Sequence, residues 1–334
     1  MNIAPLTIEN TPRVINSLTR AMQWLALGAV LLLGSSVTFA QNIVSDADWA
    51  IFVSQRSGAT ELYLIDLNTK QVSQLTDTGR AHITPSISNA ARLLTYASRE
   101  GSSYELFTAQ ISSAWRTRRP TLAAVNRLTY DPIDETSPSV TTDGKKMTFA
   151  SSQGIEIMEA TGEARRVLVP TASAYFIFAP AISPDGNQVA FVSNRSGANE
   201  IWLASTVSGA ARQVTSGGAV LGSLNWSADS KQIVFTTSAT ASKLSGIAIA
   251  SAVDGSFQVL TEGNDGEPAI SPGGSRIIFT SLRDGDPELY LLNLRTSSVE
   301  RLTNNPGVDG SAVFVSMPIS PVRRILSPGR KVID

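Results

Sequence analysis

The chain has 334 residues, 42% of them hydrophobic and 16% charged, with a formal net charge of −1. It has no cysteine and a single histidine, His82. That excludes disulfides, thiolate zinc sites, thiol nucleophiles and any metal centre made of several imidazoles from one chain. Glu9, Arg13 and Arg20 are the charged residues of positions 1–40, so the remainder stands at −2, and a nearly neutral body argues against nucleic acid as a partner.

In chain order, Arg13 and Arg20 precede the apolar run 24–33 (WLALGAVLLL), which ends in Gly34, Ser35, Ser36 and then Thr38-Phe39-Ala40. A positive flank, an apolar middle and small residues at the exit predict a secretory signal peptide over 1–40, cleaved after Ala40. The competing reading is an uncleaved inner-membrane anchor, because no charge occurs between Arg20 and Asp46. Either way the body lies outside the inner membrane, periplasmic or secreted.

From Trp49 onward the chain repeats. An aromatic-x-Ser/Thr element occurs at Phe52, Tyr96, Phe149, Phe191, Phe235 and Phe279, at spacings of 44, 53, 42, 44 and 44. A Leu/Val-Thr pair closes the copies at Leu75, Leu128, Val214, Leu260 and Leu302, with Leu168-Val169 as a weaker version. Copy four shows the pattern in full: Ser183-Pro184-Asp185-Gly186, then Phe191-Val192-Ser193, Arg195-Ser196-Gly197, Glu200-Ile201-Trp202 and Val214-Thr215. Asp-Gly and Ser-Gly supply the φ > 0 residues of tight hairpins, so each copy divides into four short strands. The second strand is apolar on both faces, which requires cover on both sides. Radial stacking of like sheets provides it.

The spacing of 53 comes from copy two, where the insertion Trp115-Arg116-Thr117-Arg118-Arg119-Pro120 lengthens the hairpin between third and fourth strands. The connection into copy four reads Tyr175-Phe176-Ile177-Phe178, and the next contains Val220-Leu221. Copy one begins at its second strand, and 310–316 (GSAVFVS) is an orphan strand after copy six. The expected fold is therefore all-β: a six-bladed β-propeller over 41–316, closed by a C-terminal strand that completes the first blade. The tail 317–334 is expected to be extended.

These elements resemble the TolB-type, WD40-like (PD40) β-propeller repeat, over roughly residues 44–316. In that family the propeller follows an α/β domain, whereas here it starts within a few residues of the expected cleavage site. The resemblance implies a soluble, protein-binding role in envelope maintenance and macromolecule transport. Similar propellers include uronate lyases that look like histidine-dependent metal enzymes, for which one histidine is a poor match. No nucleophile elbow or acid–base pair accompanies His82, so no catalytic residue, metal site or cofactor is assigned.

The connections between copies line one mouth of the central channel. An apolar side formed by Tyr175, Phe176, Phe178 and Leu221 would anchor a protein partner, with the mouth elsewhere an acidic arc containing Asp131, Asp134, Glu135, Asp265, Glu267 and Asp309. The mouth could instead take carbohydrate, with Tyr130 beside Asp131 stacking on sugar. A third reading is an envelope scaffold contacting anionic surfaces through Trp115, Arg116, Arg118 and Arg119, membrane contact otherwise being limited to the N-terminal segment. A monomer is expected.

Overall fold

The computed structural model describes residues 46–113, 119–238 and 244–316. The expected signal peptide, the tail 317–334 and residues Trp115, Arg116 and Arg118 lie outside them. The described residues contain 24 strands in six antiparallel sheets of four, and no helix. The innermost strands are His82–Ser88, Thr136–Val140, Ile177–Ile182, Val220–Trp226, Asp265–Ile270 and Asp309–Val315. Each packs beside the inner strand of the next blade, and the last packs beside the first, so the ring is closed. Asp309–Val315 pairs with Trp49–Ser54, placing Trp49 opposite Val315 and Ile51 opposite Val313. Blade one is thus completed by the end of the chain, as the orphan strand predicted.

The core is divided rather than central. Six apolar clusters each lie between two neighbouring blades. The phenylalanines of the repeat, Phe52, Phe149, Phe191, Phe235 and Phe279, are fully buried in them. Each contributes roughly 1.5–3 kcal/mol through burial, and together they explain why the second strand is apolar on both faces.

The recurring Glu and the closing Thr form one unit. Thr215 Oγ1 accepts the Ile201 N–H at 2.9 Å and donates to Glu200 Oε2 at 2.6 Å, while Glu200 Oε1 accepts the Gly218 N–H at 2.6 Å. Blade six repeats this with Thr303, Leu289, Glu288 and the Asn305 N–H. The unit ties the outer strand to the third and holds the start of the connection to the next blade.

At the opposite rim, the Ser-Pro-Asp-Gly turns are joined by local hydrogen bonds. Ser183 Oγ donates to Asp185 at 2.5 Å and accepts the Gln188 N–H at 3.0 Å. Blades are also stitched to each other here: Ser88 Oγ donates to the Thr142 carbonyl, and Asn89 bonds both the Phe314 carbonyl and the Ser316 N–H. Asn89 belongs to a degenerate turn, and it has become the clasp on the closing strand. In blade six, Gly273 stands where the turn aspartate should be. Asp46, from the start of blade one, fills the place, accepting from Ser275 and pairing with Arg276 at 3.2 Å.

Every inner strand carries a bulge of one form. A register shift coincides with a non-glycine residue in the left-handed region: Thr84, Ser137, Ala179, Ser223, Glu267 and Ser311, all with φ between 48° and 53°. A left-handed L-residue costs roughly 1–2 kcal/mol. Links between neighbouring blades offset it. The Ser137 N–H donates to Thr84 Oγ1 at 3.2 Å, and the Ser311 N–H donates to Glu267 Oε2 at 2.7 Å.

Candidate functional site

The rim formed by the blade-to-blade connections is built on a repeated charge pair. In four of the six blades the first residue of the inner strand lies opposite the Ser or Thr that ends the second strand, as Asp309 does with Ser54 and Asp265 with Ser281. An arginine two residues beyond that serine folds back over the blade. Arg56 lies over the Phe52 and Tyr63 rings at 5.3 and 5.1 Å, donates through Nε to Ser54 at 2.9 Å, and reaches Asp309 through Nη2 at 2.6 Å. Arg283 repeats this over Tyr290, with Nη2 at 2.9 Å from both oxygens of Asp265. In blade three the cation comes from another element: Arg165 lies over Phe149 and stands 2.6 Å from both Glu135 and Asp131 and 2.7 Å from Glu156.

This geometry corrects the acidic arc. Glu135, Asp265 and Asp309 are buried at 0%, 1% and 0% exposure, each against an arginine. Asp265 and Asp309 turn back into the blade because they start an inner strand facing the serine of its neighbour, and Glu135, one residue before Thr136–Val140, is drawn in by Arg165, so none of the three is exposed on the rim. Burial raises the pKa of Glu135 and Asp309, and the hydroxyls of Thr129 and Ser54, with Arg165 and Arg56 behind them, only partly counter it. Asp131, Asp134 and Glu267 are exposed. Glu267 occupies the bulge position and accepts from Thr280 as well as Ser311.

His82 starts the inner strand of blade two. It is buried, with Nε2 at 2.8 Å from Thr78 Oγ1 and 3.2 Å from Glu61. Burial lowers its pKa and outweighs the nearby Glu61 charge, which favours the neutral imidazole.

The aromatic connection divides residue by residue. Tyr175 is half-buried, its ring 4.7 Å from the Arg195 guanidinium. Phe178 is half-buried between blades four and five, and Gly222 gives it room: a Cβ there would stand 3.3 Å from the ring. Phe176 is 74% exposed, its N–H held by Asn194 at 2.7 Å, and Leu221 on the neighbouring blade is 45% exposed. Tyr130, at the connection between blades two and three, is 72% exposed with the Arg127 guanidinium 4.4 Å from its ring. Alternation along extended backbone would put Phe176 and Phe178 on one face, so no signal in the sequence separates the exposed ring from the packed one. Arg119 is exposed beside the hairpin between Ser103–Ser113 and Pro120–Arg127.

No family model matches the chain. A TolB homolog of Chlorobium chlorochromatii is 28% identical over 145 residues, which are 43% of this chain and 31% of that protein. The Tol-Pal system protein TolB of Francisella tularensis subsp. holarctica is 30% identical over 208 residues, 59% of this chain and 45% of that one. The crystal structure of TolB from Acinetobacter baumannii superposes with a TM-score of 0.63 at 18% identity, covering 79% of this chain and 66% of that one. The propeller is TolB-like. The chain spans less than half the length of the curated relatives it matches.

On this TolB-like ring, the connection rim offers scattered apolar side chains on a frame of neutralised charge pairs. Such a surface suits recognition. Among the described residues no cluster of three His, Asp or Glu is arranged to hold a metal ion, and no helix is long and apolar enough to cross a membrane.

Proposed function

We propose that the chain is a non-catalytic, exported β-propeller that binds a protein partner on its connection rim outside the inner membrane, in the manner of a TolB-like envelope component. The observation that carries this is Phe176: a phenylalanine 74% exposed beside Leu221, in a connection whose other aromatics are packed. An isolated exposed leucine needs no explanation, but a projecting aromatic anchored through its own N–H is the kind of group that fills a partner's pocket. The N-terminal run of Arg, apolar and small residues supports export. The test is affinity capture from envelope extract with the wild-type chain and a Phe176→Ala, Leu221→Ser variant. Loss of a specific protein at unchanged melting temperature supports the reading, and identical captured proteins overturn it.

Tyr130 favours a second reading, a carbohydrate-binding mouth, because an exposed ring beside Asp131 is the arrangement that stacks on sugar. A glycan array separates the two. Contact with anionic surfaces through Trp115, Arg116, Arg118 and Arg119 is tested by liposome flotation with the arginines reversed to glutamate.

A further inference from the structure

We propose that blade four carries a carboxylate-binding site centred on Arg195. The proposal deepens the docking reading above by naming the chemistry that this rim accepts, and rests on that reading only for where the carboxylate comes from.

The comparison among blades defines the site. Arg56, Arg195 and Arg283 occupy one position of the repeat, and each donates through Nε to the serine two residues before it. Arg56 and Arg283 complete the arrangement with Asp309 and Asp265, at 2.6 and 2.9 Å. In blade four the corresponding residue, opposite Ser193, is Ile177. The residue after Arg283 is Asp284, which accepts from the Tyr290 hydroxyl, and its counterpart after Arg195 is Ser196. Both acids of blade six are therefore missing from blade four, while the cation remains.

The donors left behind have no acceptors. Arg195 Nη2 is buried without a hydrogen-bond partner among the described residues, and so is Nε1 of Trp202. The guanidinium lies 4.9 Å from the Trp202 ring, 5.2 Å from Phe191 and 4.7 Å from Tyr175. Ring faces attract the cation, but they do not satisfy N–H groups that lie in the guanidinium plane. Glu200, the repeat carboxylate of this blade, already accepts from Thr215 and Gly218. Arg195 as a residue is half-buried, so the side chain is partly open to solvent although its Nη2 is covered. A carboxylate is the group that the same Nη2 holds in blades one and six, and a charge-assisted hydrogen bond to it is stronger than one to a neutral acceptor. On a docking protein that group is an acidic side chain or a free C-terminus, set close to the exposed Phe176.

The test follows the indole N–H resonance of Trp202, assigned with Trp202→Phe, in the full chain. Three blocked peptides are titrated: one with an internal glutamate and an amidated end, one whose only carboxylate is its C-terminus, and one with glutamine in place of the glutamate. A saturable shift with a carboxylate peptide and none with the neutral one supports the site, and the responding peptide tells which source fits. Binding should weaken about tenfold or more in Arg195→Gln. It should also be lost in Ile177→Asp, where the acid is supplied from within as in blade six. Ser196→Asp, at an exposed turn position, is the second such variant should Ile177→Asp fold poorly. No shift, an equal shift with the neutral peptide, or wild-type binding in Arg195→Gln would overturn the site. The titration involves no protein partner, so capture lost with Phe176→Ala bears on the docking reading and leaves this result standing.

Discussion

The two rims of the ring come from the same repeat and treat charge in opposite ways. On the turn rim, hydrogen bonds from Thr141 and Ser227 hold Asp143 and Asp229 below the ordinary range. At Asp185 burial acts in the other direction, and the Ser183 and Asn187 bonds outweigh it. On the connection rim, burial wins and raises Glu135 and Asp309. The turn rim uses its polar groups within each turn and to bond one blade to the next. The connection rim places its acids deep in the blade and leaves the surface above them free to differ between blades. The uniform rim makes the ring, and the varied one is where recognition can be written.

The comparison breaks most severely at the closing strand, which spans both rims. Truncation before Asp309 removes Val313, Phe314 and Val315 from blade one. Burial of these side chains amounts to roughly 5 kcal/mol or more, so cooperative thermal unfolding should disappear. Unchanged circular dichroism and melting would contradict closure by this strand. Next in size is Thr303→Val, which strips the Leu289 N–H of its acceptor and Glu288 of a donor. Leaving buried groups unpaired should cost about 2–3 kcal/mol in urea unfolding, and a loss below the error of the measurement would show that the outer strand is held by other means.

Smaller effects sharpen the contrast through pH. Asp185 has a lowered pKa, so its contribution is present above the unfolded-state value of about 3.9 and fades as pH falls through the folded value. Asp185→Ala should therefore cost roughly a few tenths of a kcal/mol at neutral pH, because the carboxylate is exposed and screened, and its melting curve should approach that of the wild type in acid. Asp309 has a raised pKa and the opposite sign. Its contribution is present below the unfolded value and is lost as pH rises through the folded one. The gap between wild type and Asp309→Asn should narrow from acid to neutral pH, and a gap that widens would reverse the assignment. A similarly small change in stability is expected from Phe176→Ala, within about 0.5 kcal/mol, because its side chain is already in water. A larger loss would mean that the ring packs.

The fold was legible because the repeat advertises itself. Phe-x-Ser, Asp-Gly and Leu-Thr recur at nearly constant spacing, each tied to a backbone requirement that tolerates few residue types. The rim was less legible. Asp265 and Asp309 sit next to connections and look like loop acids in one dimension, and only the pairing with Ser281 and Ser54 reveals that they point inward. The bulges left little trace, since serine stands at only three of the six positions, with Thr84, Ala179 and Glu267 at the others, and none is the glycine that usually marks a left-handed position. Blade four's missing acid, by contrast, was visible as Ile177 in place of an aspartate, but its meaning depended on knowing which residues face each other.

Asp46 in the turn of blade six has a mechanical consequence. Whatever pulls on the chain ahead of Trp49 first loads the contacts of Asp46 with Ser275 and Arg276 and the bond from Arg276 to the Ala47 carbonyl. Tension from that side is thus shared with a neighbouring leaflet before it can peel the first one away, and the seam of the ring is riveted on both flanks.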